Sequence, residues 1–362
     1  MPEIRRRDAL KAGAAVAPAL MGAASPQVAS AQADNNEPTE HTGQILWPEE
    51  LSNPLEAKIV VFTTVSHDVE ASLSFYRDVI GMTLLDDKNL PGNLTTAPGI
   101  GNPGRRHILL HMPESSWSAA VRILEAPAGA KSIRPRPGSG PNDPGLLVME
   151  GGTRDPAESY HALATAGTRM ISPPRYYWFR NTTWGRDVDV MSYAPFGPGG
   201  EQMFITAQIN NDRPEPSYPG LHNGFANAAI VSLDQQPVTT FYEKALGLKR
   251  TSQMECYQRN CNELIGAPEN SYFLWGNIGS GVSIEVWEVK ASKGTMYPTS
   301  LDRTGLAMLT IRVNDIEKCR RMCDEAGIKI VGEGALPSPD NDMPDGFTLR
   351  GAVGELIEVV GA

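Results

Sequence analysis

The sequence predicts an α+β protein made of four βαβββ modules that are arranged as two pairs. The segment "DVEASLSFYRDVIGMT" at residues 68–83 returns at residues 234–249 as "DQQPVTTFYEKALGLK", with an aspartate, a Phe-Tyr dipeptide and a glycine at matching places. A phrase repeated in this way is typical of a duplicated unit. The chain also contains 35 glycines and 29 prolines, which favours many turns and short strands over a helical bundle.

The N-terminal segment predicts an export signal at residues 1–33. It combines a basic start, a short stretch of small apolar residues and an Ala-Gln-Ala sequence that ends at Ala33, where cleavage is expected. Arg6 and Arg7 resemble a twin-arginine signal, which predicts a periplasmic location; a disordered basic tail is the alternative. Residues 34–56 are polar and are predicted to form a linker or arm. No later segment is apolar enough to span a bilayer, so no membrane contact is expected after signal removal.

The first two modules are predicted to occupy residues 57–207. Module one begins with the strand "KIVVFTTVS", after which Asp68 caps a helix that runs through Tyr76, and the strands "GMTLLDD", "RHILLHM" and "AAVRILEA" follow. Module two begins with "GLLVMEGG" and continues with a helix over "DPAESYHALATAG". The segments "TRMISPP" and "VDVMSYAPFGPGGEQMFITA" complete it.

The last two modules are predicted to occupy residues 225–362, after a proline-rich joint at residues 208–224. Module three reads "NAAIVSL", a helix that contains Phe241 and Tyr242, "GLKRTSQ", "SYFLWGN" and "GVSIEVWEV". Module four reads "LAMLTIRVNDIEKCRRMCDEAGIKIVGEG" and "GFTLRGAVGELIEVVG", with a glycine cap at the end of its helix. The cysteines fit no strong zinc pattern, and they are either free or include one disulfide between Cys256 and Cys261.

This arrangement resembles the vicinal oxygen chelate (VOC) superfamily, which includes glyoxalase I, bleomycin-resistance proteins and extradiol dioxygenases. The resemblance is carried by the D…S…FY…G phrase of modules one and three, by "FGPGGEQ" in module two and by "GELIEVV" in module four. It implies two paired glyoxalase-like VOC domains, residues 57–207 and residues 225–362. In each domain a curved sheet would hold the site on its concave face, with helices packed outside.

The resemblance also implies metal positions on the first and last strands of each module. The first-strand and last-strand positions fall on Val61 and Arg122, Val148 and Phe204, Asn227 and Glu285, and Met308 and Glu358. The second domain is therefore predicted to hold a divalent cation through Glu285, Glu358 and Asn227. Oxygen ligands favour Mg, Mn or Ca over Zn or Fe.

The two glutamates also allow explanations other than metal binding, because carboxylates in an apolar cup are costly unless their charge is compensated. Strand alternation places Glu285, Trp287 and Glu358 in the cup. Arg312, on the same strand face as Met308, could neutralise a carboxylate and contact the ligand. Protonation would make one glutamate an acid or base catalyst, and a position at the rim would let it reach solvent.

The first domain is predicted to bind ligand rather than metal. Arg122 would meet an anionic or phenolic oxygen. The run "RYYWFRNTTW" at residues 175–184 contains four aromatic side chains that would either stack on a flat ligand or pack as core: Tyr176, Tyr177, Trp178 and Trp184.

Composition and site residues together leave three hypotheses for the function, the third of which is a degenerate structural relative of the family. The net charge of -10 argues against nucleic acid as a partner. No nucleotide cofactor is expected, and the protein is predicted to be a monomer or a homodimer. The first hypothesis is an exported lyase, isomerase or atypical oxygenase that acts on a small oxygenated compound, aromatic ones included, with Glu285 and Glu358 as catalytic residues. The second is a metal-free ligand-binding or sequestering protein of the bleomycin-resistance type.

Overall fold

The computed structural model describes residues 40–46, 52–92, 94–101, 104–115, 117–134, 143–180, 187–209, 220–268, 271, 273–279, 284–289, 294–342 and 344–362. The predicted export signal, much of the predicted arm and Trp184 lie outside these residues. None of the helices within these ranges combines the length and apolar character that a bilayer span needs.

Four βαβββ modules follow one another along the chain, which confirms the predicted fold class. A strand from the arm, β1 (His41–Leu46), precedes them. Module one comprises β2 (Lys58–Ser66), α1 (Val69–Ser74), which continues as a π-helical turn (Phe75–Val79), β3 (Thr83–Asn89), β4 (Arg106–His111) and β5 (Ala120–Glu125). Module two comprises β6 (Gly145–Thr153), α2 (Pro156–Thr165), β7 (Met170–Phe179), β8 (Val188–Pro195) and β9 (Gln202–Gln208).

The second half of the chain repeats this order with one insertion. Module three comprises β10 (His222–Ser232), α3 (Gln235–Leu246), β11 (Arg250–Tyr257), α4 (Arg259–Ile265), β12 (Phe273–Ile278) and β13 (Ile284–Val289). Module four comprises β14 (Gly305–Val313), α5 (Ile316–Glu325), β15 (Ile330–Glu333), β16 (Gly346–Arg350) and β17 (Leu356–Gly361). The helix that follows the first strand of each module begins after an aspartate whose carboxylate accepts from the first helical turn: Asp68, Asp155, Asp234 and Asp315.

The modules pair differently from the prediction. Modules four and one form an eight-stranded sheet with the order β15-β16-β17-β14-β2-β5-β4-β3. Modules three and two, with β1, form a nine-stranded sheet with the order β1-β11-β12-β13-β10-β6-β9-β8-β7. The predicted pairing of module one with two, and of three with four, is therefore wrong.

Consecutive modules are instead joined through the helical layer. The Tyr76 hydroxyl donates to Glu201 Oε1 at 2.6 Å, and the Tyr242 hydroxyl donates to Glu355 Oε1 at 3.5 Å. All four side chains are buried. The tyrosines belong to the repeated Phe-Tyr phrase and the glutamates to the Gly-Glu motifs of modules two and four. These motifs hold module one against two and three against four, while their strands lie in different sheets.

One apolar cluster fills the helical layer and receives side chains from both sheets. Phe62 and Leu309 come from the eight-stranded sheet, Ile230 and Val286 from the nine-stranded sheet, and Val238 from α3. Because successive side chains of a strand point to opposite faces, the other face of each sheet points away from this shared core. Those two faces are called here the eight-stranded cup and the nine-stranded cup.

Candidate functional site

The eight-stranded cup carries one polar side chain on each of seven adjacent strands. This polar row runs across the sheet from β16 to β3 in the order Thr348, Glu358, Thr310, Thr63, Arg122, His107 and Asp86. Strand register aligns its members, since Glu358 lies opposite both Thr348 and Thr310, and Arg122 lies opposite Thr63. Strand alternation therefore places these seven polar side chains on the same face of the sheet.

An ion pair lies at the centre of the row. Arg122 Nη1 is 3.2 Å from Glu358 Oε2, and both side chains are completely buried. The same guanidinium nitrogen donates to Thr63 at 2.9 Å, and the Thr310 hydroxyl donates to Glu358 Oε2 at 2.7 Å. Burial lowers the pKa of Arg122, and the charge of Glu358 opposes that shift. The pair compensates two charges that would otherwise be costly in the cup.

The loop between β15 and β16 covers this ion pair. Arg122 Nη2 donates to the carbonyl oxygens of Pro337 at 2.7 Å and Leu336 at 3.4 Å. The Leu336 N–H donates to Glu358 Oε1 at 2.8 Å. The backbone of this loop thus hydrogen-bonds to both Arg122 and Glu358 at positions where a polar ligand could otherwise bind.

Several polar atoms of the row have no hydrogen-bond partner within the described residues. They are both ring nitrogens of His107, Arg122 Nε and Thr348 Oγ1. Asp86 Oδ2 instead forms an ion pair with Lys88 Nζ at 2.8 Å. The nearest acid to His107 is Asp86, whose Oδ2 lies 3.7 Å from Nδ1. Burial, together with the charge of Arg122, lowers the pKa of His107 to about 3, so the ring is neutral at physiological pH. Buried polar atoms are normally satisfied, so this row is suited to a partner that offers both donors and acceptors.

Replacing His107 with Leu is expected to change the free energy of unfolding by about 0.5 kcal/mol or less, because no hydrogen bond to the protein is lost. His222 is the matched control, since it is also buried, but its Nδ1–H donates to the Ile80 carbonyl at 3.2 Å and its Nε2 accepts from Ser159 at 2.5 Å. His222→Leu should cost about 1–3 kcal/mol. Urea unfolding of both variants checks this, and equal losses would contradict it.

The nine-stranded cup has a different character, because aromatic rings fill it. Edge-to-face contacts link Tyr177 to Phe179, Phe179 to Trp275, Trp275 to Trp287, and Trp287 to Phe204. Trp287 is 1% exposed. Such a chain of rings is the packing of an apolar core. Tyr177 and Trp287, which were predicted to contact a ligand, are members of this core.

Helix α4, which the sequence analysis did not predict, closes the nine-stranded cup. The side-chain amide of Gln258, the residue before α4, accepts from the Trp178 N–H at 3.2 Å and donates to its carbonyl at 2.7 Å. Asn260 donates to the Tyr176 carbonyl at 2.8 Å, and Arg175 forms an ion pair with Glu263 at 2.9 Å. The aromatic run thus provides the edge strand on which α4 docks, and it does not line the cup that contains Arg122.

Asn227, Glu150 and Glu285 form a polar group inside the nine-stranded cup. Asn227 Nδ2 donates to Glu150 Oε2 at 3.2 Å, and the Trp287 indole donates to Glu285 Oε2 at 3.1 Å. Burial raises the pKa of Glu150 to about 7. Burial, and secondly the charge of Glu150, raise the pKa of Glu285 well above its ordinary value. At least one of these two carboxyls is therefore protonated near neutral pH.

The predicted pairing of Glu285 with Glu358 is wrong. Glu285 lies on β13 in the nine-stranded cup and Glu358 on β17 in the eight-stranded cup, with the shared helical core between the two sheets. Neither a single ion nor a shared proton can connect them. Arg312 is not their counter-ion, because it is 38% exposed and pairs with Asp340 at 2.7 Å. The cation that compensates Glu358 is Arg122.

The residues at the family's metal positions do not fit a metal in either cup. The eight-stranded cup brings together Val61, Met308, Arg122 and Glu358, where a guanidinium holds the single carboxylate and would repel a cation. The nine-stranded cup brings together Val148, Phe204, Asn227 and Glu285. Within the described ranges, no three His, Cys, Asp or Glu side chains are grouped so that they could hold a metal ion. All four cysteines are free and buried.

Sequence reasoning missed His107 and Glu150, although strand alternation contained the signal for both. His107 precedes a buried Ile-Leu-Leu run and lies on the same face as Leu109, which faces Arg122 across the strand pair. Glu150 lies two residues after Val148 and so on the same face of β6. His107 and Glu150 were not predicted because only the family's metal positions were considered.

Comparison with known proteins agrees with this architecture. Residues 58–200 match the family model of the Glyoxalase/Bleomycin resistance protein/Dioxygenase superfamily. Glyoxalase I from Zea mays is 16% identical, with a TM-score of 0.55 over 84% of this chain and 92% of that chain. A protein described as a putative dioxygenase, from Bacillus subtilis, is 15% identical, with a TM-score of 0.50 over 84% of each chain. No curated protein matches the chain. At these identities the solved structures show the fold alone.

Proposed function

We propose that this chain, which carries a domain of the glyoxalase/bleomycin-resistance/dioxygenase superfamily, is a metal-independent protein that binds a small oxygenated molecule in its eight-stranded cup. The polar row is the observation that carries the proposal. Arg122 and Glu358 of the central ion pair stand at positions where the family resemblance implies metal ligands. Polar atoms that have no hydrogen-bond partner among the described residues flank the pair on both sides. This arrangement favours the ligand-binding hypothesis over metal-dependent chemistry.

The chemistry of the row indicates the kind of ligand. Arg122 Nε can donate, and the neutral imidazole of His107 can donate at one ring nitrogen and accept at the other. Apolar side chains border the row along both of its sides. Val61 and Leu109 lie on one side, and Leu124 and Met308 lie on the other. A ligand with a small apolar body and several oxygen atoms satisfies both parts of the surface.

The test is a thermal-shift screen of hydroxy acids, phenols and short lactones, with and without a chelator, followed by calorimetry on each compound that binds. His107→Leu should weaken binding at least tenfold, because it removes two polar partners without unfolding the cup. Glu150→Gln, in the other cup, should leave binding within about twofold. Binding that disappears with the chelator, or with Glu150→Gln but not with His107→Leu, would contradict the proposal.

A second candidate function is acid–base catalysis in the nine-stranded cup. It is favoured by the juxtaposition of Glu150 and Glu285, because a carboxyl with a pKa of about 7 can both give and take a proton at neutral pH. Incubating the compounds that bind with the protein and following them by NMR tests this. Turnover that Glu150→Gln abolishes supports the enzyme hypothesis, and unchanged turnover in that variant excludes this carboxyl as the catalyst.

Export to the periplasm is part of the proposal and rests on the sequence of residues 1–33. The mature protein is expected to begin at Asp34, and replacing Arg6 and Arg7 with Lys should retain the precursor in the cytoplasm. Mass spectrometry of the periplasmic fraction measures the mature N-terminus. A product that keeps Met1 and stays in the cytoplasm would contradict the prediction.

A further inference from the structure

A small cavity of about 50 Å³ lies beside the eight-stranded cup and is separated from the ion pair by Leu336. The loops that follow β3 and β15 enclose it. Its walls include Leu90, Leu94, Thr95, Ile100, Arg105 and Leu336. This volume exceeds the space that one water needs, so the cavity can hold a molecule of a few heavy atoms.

Arg105 is the charged residue of this cavity, and it is held rigidly. Its side chain is only 7% exposed. Nε donates to the Glu125 carbonyl at 2.7 Å, and Nη1 donates to the carbonyls of Gly99 at 3.3 Å and Ile100 at 3.1 Å. Three backbone carbonyls therefore fix the plane of the guanidinium before any ligand arrives.

The remaining nitrogen of Arg105 has no hydrogen-bond partner in the part of the chain that the structure describes. Nη2 is buried and forms no hydrogen bond within the described residues. Burial lowers the pKa of Arg105, and the charges of Glu125 and Asp302 oppose that shift. Each hydrogen bond that Arg105 forms within the described residues goes to a backbone carbonyl oxygen. A buried cationic N–H without an acceptor is costly, which indicates that an acceptor belongs in the cavity.

The residues that line the cavity indicate the chemical class of the acceptor. Leu90, Leu94, Ile100 and Leu336 give the cavity apolar sides, which suit a hydrocarbon group better than a phosphate with three exposed oxygens. Thr95 Oγ1 accepts from the Ala97 N–H at 3.0 Å, so its hydroxyl hydrogen can donate to a second oxygen. One guanidinium edge, one hydroxyl and apolar walls together match a short aliphatic carboxylate.

We propose that this cavity is a binding site for a short-chain monocarboxylate, with Arg105 Nη2 as the charged donor and Thr95 as the second donor. It goes beyond the proposed function, because none of its residues belongs to the polar row. The carboxylate would take the place of water at Nη2, and its alkyl group would contact the leucine walls.

The experiment titrates propionate into the full-length protein and follows binding by calorimetry and by chemical-shift changes, with propionamide as the uncharged comparison. Propionate should bind at least tenfold more tightly than propionamide. Arg105→Met should weaken propionate binding at least tenfold. Arg106→Met is the matched control and should leave it unchanged, because Arg106 points to the rim and pairs with Asp87 and Glu70.

Two further variants test the cavity independently of Arg105→Met. Ile100→Trp should block propionate by filling the cavity while leaving the guanidinium in place, so a failure of Arg105→Met to fold does not remove the test. His107→Leu should retain propionate binding, which separates this site from the polar row. Equal binding of propionate and propionamide, or full binding by folded Arg105→Met or Ile100→Trp, would overturn the assignment.

Discussion

Replacing Arg122 with Met is expected to lower the free energy of unfolding by about 3–5 kcal/mol, as measured by urea denaturation. The substitution keeps much of the side-chain volume but leaves Glu358 as a buried carboxylate without its cation. The cost arises chiefly from that uncompensated charge. The hydroxyl of Thr310 and the N–H of Leu336 stay on Glu358, but neither supplies a positive charge.

The double variant Arg122→Met/Glu358→Gln tests this cause, because it removes both charges together. It should recover most of the lost stability. Arg312→Met is the control at the rim, where the partner Asp340 is 73% exposed, and it should cost less than about 1 kcal/mol. If the double variant were as unstable as Arg122→Met, the loss would lie in packing rather than in charge.

Replacing Glu355 with Gln is expected to stabilise the protein above neutral pH. Burial raises the pKa of Glu355 from 4.5 to about 7, so the folded state keeps a proton that the unfolded state releases. The wild-type protein therefore loses stability as the pH rises from 4.5 to about 7. That loss is on the order of 3 kcal/mol at pH 8. The neutral amide should remove this pH dependence.

Unfolding of both proteins between pH 4.5 and 8 provides the measurement. The two stability curves should lie close together near pH 4.5, where Glu355 is protonated in both states, and separate as the pH rises. Glu333→Gln is the control, because the Glu333 side chain is 62% exposed and pairs with Arg320 at the surface. A constant offset between the Glu355→Gln and wild-type curves would contradict the titration of this carboxyl.

The modules could be predicted from the sequence because their signals are local. Each aspartate cap lies within a few residues of the N–H groups that it accepts from, and strand alternation is read directly from the chain. The same alternation correctly assigned Arg122 and Glu358 to the concave faces of their strands. These predictions required no knowledge of which strands are neighbours.

The choice of partner modules could not be predicted, because it depends on contacts between distant residues. The first strands of the modules, such as β2 and β6, are buried on both faces, so the burial pattern alone lets either pair with β10 or β14. The structure joins β2 to β14 and β10 to β6. The site follows from this choice, since it decides that Glu358 meets Arg122 rather than Glu285.

The Gly-Glu motifs that carry part of the family resemblance have a structural role. Gly197 and Gly351 make room for Glu201 and Glu355, since a Cβ at either glycine would lie 2.0 Å from the carboxylate. In the structure they are buried on the helical side and join successive modules.

The pairing of β2 with β14 determines the order in which the protein can fold during its synthesis. Arg122 leaves the ribosome long before Glu358, so the first module must wait, with its central strand edge unpaired, until the fourth module has been made. An unpaired apolar edge is prone to join other chains. Pairing between such distant segments is also slow to form. Nascent chains that end before β14 should therefore depend on chaperones, and the eight-stranded cup should be among the last parts of the protein to form.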